Sequence, residues 1–182
     1  MSAPAFSGPT APRLPDPAEL PAAELPFEPA PLGVEVTRCA IRGGSLANAD
    51  LARSTWRGVA LTRVRMTGVR LSEARLTDVV LEECLVDLAA LAGARLERVA
   101  LRGCRLTGSD LQGLQARDVA FDRCELDETD LSEASFSRTV MRGCSLDGAR
   151  GLHRLRGVGM APSDVVACSG AFAQALGIAL LD

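Results

Sequence analysis

The chain has 182 residues, 47% of them hydrophobic, and a formal net charge of −3, with arginine as its only strongly basic residue. That length suits one domain with its own core, no basic block points to nucleic acid, and no apolar run is long enough to cross a bilayer. The first residues lack a charged stretch leading into an apolar one, so no secretory leader is expected and a cytoplasmic setting is.

The first segment, residues 1–32, holds nine of the ten prolines. Proline removes a backbone donor and favours extended polyproline geometry, which predicts an arm rather than a domain. Leu14, Leu20, Leu25, Phe27 and Leu32 are spaced to dock it at intervals. An arm lying over the first coil of the second segment would shield an open β edge.

Residues 33–151 form that second segment. Stepping by five from Ile41 through Leu46, Leu51 and Trp56 to Leu146 meets 22 positions, all apolar, with no insertion. Two residues before each lies a mostly small series that includes Val59, Val64, Val69 and Ala74. A strand has period 2 and a helix 3.6, so period five marks a repeat architecture. Cys84, Cys104, Cys124 and Cys144 are spaced by 20, as are Val59, Val79, Val99 and Val119. Four five-residue sides per coil would stack each set in one inward column. Free cysteines in such a column act as small buried hydrophobes, and the only histidine, His153, lies outside it, so no metal site is expected.

Ala49-Asp50-Leu51, Ser109-Asp110-Leu111 and Thr129-Asp130-Leu131 resemble the unit of the pentapeptide-repeat family, which reads roughly Ala-Asp/Asn-Leu-x-x. The resemblance covers about residues 33–151 and implies an all-β solenoid, a right-handed four-sided β-helix. Many units carry Arg, Ala or Val at the middle polar position, but the two inward positions hold throughout. Glycine recurs two residues after the central apolar residue, as at Gly43, Gly68 and Gly108, where a type II corner needs positive φ. Corners carrying Arg, Asp or Glu are expected to use another turn.

Outward positions give two ladders of alternating sign at the same spacing: Asp78, Arg98, Asp118, Arg138 and Glu82, Arg102, Asp122, Arg142. As exposed pairs they would chiefly fix register. A second outward column, Ala40, Ala60, Val80, Ala100, Ala120 and Val140, is wholly apolar. With Leu85 and Leu88, Val80 makes a candidate protein contact, since exposed apolar patches mark contact surfaces; docking of the arm is the rival reading. Asp122, Glu125, Asp127, Glu128, Asp130 and Glu133 form an acidic run opposed locally only by Arg123. Residues 33–77 carry 8 Arg against 3 acids, and residues 78–133 carry 6 Arg against 13 acids, so the segment is polarised.

The third segment, residues 152–182, loses the period. Pro162 suits the first turn of a helix, and Ser169 is placed to cap a second that Gly177 would stop. Val165, Val166, Phe172, Leu176 and Ile178 give it an apolar face, suited to a short α-helical cap on the solenoid or to a homodimer contact.

No catalytic, cofactor-binding or metal residues stand out. There is no Tyr, no Lys and no glycine-rich phosphate loop, and the stacked pair Asp110 and Asp130, which could raise a carboxyl pKa, would lie on a convex face. The expectation is a non-enzymatic protein-interaction scaffold. The alternative comes from the resemblance: some members of that family are cytosolic dimers that imitate duplex DNA, bind DNA gyrase or topoisomerase IV, and give resistance to quinolones or topoisomerase toxins. The acidic face, residues 122–133, would then be the binding surface.

Overall fold

A computed structural model describes residues 8–12 and 34–179. Five parallel strands of eight residues recur every twenty: β1 Glu35–Arg42, β2 Thr55–Thr62, β3 Arg75–Glu82, β4 Arg95–Arg102 and β5 Gln115–Asp122. In the sixth coil the strand divides into β6 Ser135–Ser137 and β7 Val140–Arg142, and both pair with β5. Each residue pairs with the one twenty positions on, as Val59 with Val79 and Leu61 with Leu81.

Each long strand covers two of the four sides of a coil. Side 1 is centred on Trp56, Leu76 and Leu96, and side 2 on Leu61, Leu81 and Leu101. Single bridges join the other two: Arg65 to Leu85 and Leu85 to Arg105 on side 3, Arg70 to Ala90 and Ala90 to Asp110 on side 4. Every position of the period-five series is buried except Phe136, which packs half-buried against the core, while the companion series includes Val59, Val69, Ala74 and Cys84 at 0% exposure. Leu114 and Ala116, where the small-then-large order inverts, are both buried, so the exchange of volume stays within the packed core.

The charged corners depart from expectation. Arg53, Glu73, Glu83, Arg123 and Glu128 all take φ between 52° and 59°, in the same left-handed region as the glycines. At Asn48 and Glu73 the turn is closed by the hydrogen bonds Ala49 N–H to Leu46 O and Ala74 N–H to Leu71 O. The reason is the ladder: corner amides bond to the next coil, as Glu73 N–H does to Ala92 O at 2.9 Å, and this fixes the backbone whatever the side chain. Such left-handed residues cost about 1–3 kcal/mol each and persist where the surroundings over-determine them.

The ladder Asp78, Arg98, Asp118, Arg138 is not simply exposed. Arg98 grips Asp78 through Nε at 2.8 Å and Nη2 at 3.0 Å, but Asp118 is buried, with Arg138 Nε at 2.6 Å and the Thr10 backbone N–H at 3.0 Å. The described part of the N-terminal arm therefore reaches β5; whether the arm covers the first coil lies outside the described residues. A further pair, Arg105 on Asp87 at 2.8 Å, runs diagonally across eighteen residues, so the twenty-residue spacing does not reveal it.

At the C-terminal end, a 3-10 turn Leu152–Leu155 precedes β8 Gly159–Met160, which pairs with β7. Helices α1 Pro162–Ala167 and α2 Ser169–Ala175 come next, with Gly177 at φ 71° after the second. Ser169 does not cap α2; Cys168 occupies the N-cap, without a side-chain bond. Cys168 instead donates its thiol to Cys144 O at 3.4 Å, extending the cysteine column into the cap.

Cys84, Cys104, Cys124 and Cys144 stack in the core, each thiol donating to a carbonyl of the preceding coil, as Cys104 to Leu81 O. Contact with Cys104 and then burial push the Cys124 thiol up to about 12. Cys104→Phe is expected to lower the melting temperature through overpacking of about 1–3 kcal/mol, and the native column should react with thiol reagents only on unfolding. An unchanged melting curve, or fast labelling, would contradict this packing.

Arg138 first, then the Thr10 amide, holds the Asp118 carboxyl well below the usual carboxylate range. A depressed acid contributes stability above its unfolded-state pKa, and that contribution is lost as pH falls through the folded-state value. Asp118→Asn should therefore lower the melting temperature near neutrality, with the gap to wild type closing in strong acid. A constant gap across the titration would count against the linkage.

Candidate interaction surfaces

The three apolar contact residues do not share one side. Val80 points outward on side 2, between Ala60 and Ala100, and is half-buried. Its column is not an exposed strip: Ala40, Ala60, Ala100 and Val140 are only 4–6% exposed despite their outward positions. Leu85 stands across the corner at Glu83, on side 3, and is 40% exposed. Leu88 occupies the next corner at φ 54° and is 67% exposed.

Leu88 is the odd residue of the corners. Every other non-glycine residue described at positive φ is charged or Asn. Its neighbours at the same corner twenty residues either way are Gly68 and Gly108, and a methyl group on Gly108 would lie 2.9 Å from Leu88 Cδ2. The leucine thus leans over a gap that the next glycine leaves. Reading the corner column by itself, Asn48, Gly68, Leu88, Gly108, Glu128, Gly148, would have singled it out from sequence.

The acidic run wraps one coil. Asp122 ends β5 on side 2, Glu125 lies on side 3, Asp130 on side 4, and Glu128 and Glu133 sit at corners. Much of its charge is engaged: Asp122 lies 3.6 Å from Arg123, and Asp130 lies 3.0 Å from Arg150. Asp127 Oδ1 accepts the Asp147 N–H at 2.8 Å. The Asp110–Asp130 stack does not raise the Asp130 pKa. The Ser132 side chain and then its backbone amide at 2.9 Å, assisted by Arg150, move it down instead. Glu125, Glu128 and Glu133 are exposed, and none makes an ion pair among the described residues.

Among the described residues no three His, Cys, Asp or Glu side chains come together as a metal site, and no helix is long and apolar enough to cross a membrane. The core contains a gap of about 20 Å³ with a wholly apolar lining that includes Trp56, Met66 and Leu71. Without polar partners such a space neither orders a water nor positions a reactant.

Two family models match this arrangement: a pentapeptide repeat region over residues 54–131 and pentapeptide repeats over residues 117–150. Among solved structures, QnrB1, described as a plasmid-mediated fluoroquinolone resistance protein, is 16% identical, with 81% of this chain and 90% of that one covered and a TM-score of 0.34. HetL of the cyanobacterium Nostoc sp., involved in heterocyst differentiation regulation, is 21% identical over 70% and 69%, with a TM-score of 0.25. A pentapeptide repeat protein of the Arabidopsis thaliana thylakoid lumen is 20% identical over 68% and 69%, with a TM-score of 0.22. No curated protein matches the chain. With matched repeats running from residue 54 to 150 and coils of four five-residue sides built from them, the chain belongs to the pentapeptide-repeat family.

Proposed function

We propose that this protein is a non-enzymatic scaffold that binds a protein partner through the corner carrying Leu88 and the adjoining Leu85. The observation that carries this reading is Leu88 itself. A bulky apolar side chain at positive φ is strained, and at 67% exposure it recovers little of that cost by burial. Strain retained at an exposed position points to use rather than to packing. Val80, half-buried on the neighbouring side, would flank the contact. The exposed Val165, Val166, Leu176 and Ile178 on the C-terminal cap support self-association through residues 152–182 as a second, separate contact.

Leu88→Gly separates use from packing. It relieves the strained corner, so the melting temperature should hold or rise, while capture of the partner by full-length protein should fall. Apolar burial predicts that this capture changes little with salt. A drop in melting temperature with capture unchanged would make Leu88 a structural residue.

The second reading is a DNA-like acidic surface for DNA gyrase or topoisomerase IV. The observation favouring it is that Glu125, Glu128 and Glu133 remain exposed and outside any described ion pair while their acidic neighbours are held. Association of this kind weakens with salt, because exposed charges are screened over about 8 Å at physiological ionic strength. If it holds, purified gyrase should bind the protein and lose supercoiling activity. Glu128→Arg with Glu133→Arg should abolish both effects and leave the melting curve nearly unchanged. Gyrase that ignores the wild-type protein would eliminate this reading and leave the scaffold one intact.

A further inference from the structure

Side 1 of the solenoid does not follow the alternation of charge seen in the ladders. Arg75 and Arg95 are paired directly in register, with Thr55 before and Gln115 after them. Like charges facing each other on adjacent strands destabilise a sheet, and neither arginine makes an ion pair among the described residues. One column over, Arg117 follows Glu97, and its guanidinium stays largely exposed at 3.8 Å from an Asp118 carboxylate already held by Arg138.

The same side is where the solenoid loses its regularity. β6 pairs with β5 on one edge, but among the described residues no strand continues side 1 beyond it, and the 3-10 turn Leu152–Leu155 takes that place. Here Phe136 becomes the one central residue of the period-five series that is not buried. Two adjoining concavities result, of about 450 and 410 Å³, both lined by Ser135 and Phe136. The first also takes in Arg95, Arg117 and Ser137, and the second His153, Arg154 and Arg156. Arg154 is partly committed, donating from Nε to Ala134 O at 3.0 Å. Among the described residues, the only carboxylate lining either concavity is Glu97, which is paired with Arg98.

The geometry points to this side as a binding site for a phosphate-bearing small molecule, a function separate from protein contacts at Leu88. Four guanidinium groups against one engaged carboxylate give a strongly cationic lining. Planar guanidinium groups match phosphate oxygens in paired hydrogen bonds, and the hydroxyls of Ser135 and Ser137 add uncharged donors. Each concavity lies within the usual range of ligand sites, about 300–1,000 Å³. The shared Phe136 adds apolar surface where a flat ring could rest beside its phosphates. The partial exposure of Phe136 and the unpaired guanidinium of Arg95 are thereby explained together: both are unfavourable in a bare solenoid and favourable around such a ligand.

Calorimetric titration of the full chain with ATP, and separately with inorganic tripolyphosphate, tests the site. Saturable binding is expected, weakened by roughly tenfold or more in Arg95→Ser, Arg117→Ser and Arg156→Ser, since charge-assisted bonds are each worth enough for a factor of that size. Arg102→Ser, an exposed arginine on side 2, should bind as wild type does, which separates a site from a general effect of net charge. Tighter binding of ATP, lost in Phe136→Ala, would assign a nucleotide; equal binding of both probes would assign the phosphate chain alone. No heat from either probe at millimolar concentration would overturn the proposal. So would equal weakening by Arg102→Ser, or preference for an oligoglutamate of matched charge. Melting curves of each variant confirm that the binding loss is not unfolding.

Discussion

Backbone hydrogen bonding between stacked coils is the constraint on which everything else in this protein depends. Parallel strands lie about 4.8 Å apart, so each residue rests on the one twenty positions before it. That contact decides which side chains can point inward, since a column accepts only residues that stack at this spacing. The repeated valines of side 2 and the cysteines beyond them satisfy it. It also explains why the solenoid segment has no proline, which would leave a missing donor in the ladders between coils.

The same constraint sets what the sequence reveals. Period five, its two inward series and the twenty-residue columns are direct images of coil geometry, and they locate the inward positions of the solenoid, though not the core residues Leu152, Leu155, Cys168 and Ala171 beyond it. The corners escape such reading because propensity describes a lone turn, whereas here the neighbouring coils hold Glu73 and Arg123 in a conformation they would not choose. Spacing alone makes Asp118 an exposed ladder rung, because it does not show contacts from distant sequence such as the Thr10 amide. The apolar column around Val80 fails as an exposed patch for a related reason: outward direction does not guarantee exposure.

Candidate surfaces are legible only where a residue breaks a column's rule. Leu88 among glycines and charges is such a break, and so are paired Arg75 and Arg95. The acidic run looks like one face in sequence, yet a coil turns every five residues and spreads it over three sides. Linear charge density is thus a poor guide to surface charge in a solenoid. What matters is the neighbour twenty residues away, which for Asp130 is Arg150.

The ladder of alternating sign carries a consequence for how the chain finds its fold. Coils that match at twenty-residue intervals invite alignment errors, because a strand displaced by one whole coil still meets valine with valine. The inverted volumes of Leu114 and Ala116 do not prevent this, since displacement gives Leu114 another alanine, Ala74 for Ala94, and Ala116 another leucine, Leu76 for Leu96. Sign does prevent it: the same displacement sets Asp118 on Asp78 and Arg138 on Arg98, like charge on like. Charge that reverses with every coil acts as an index mark in an otherwise periodic structure, making one alignment cheaper than its near copies and steering assembly away from kinetic traps.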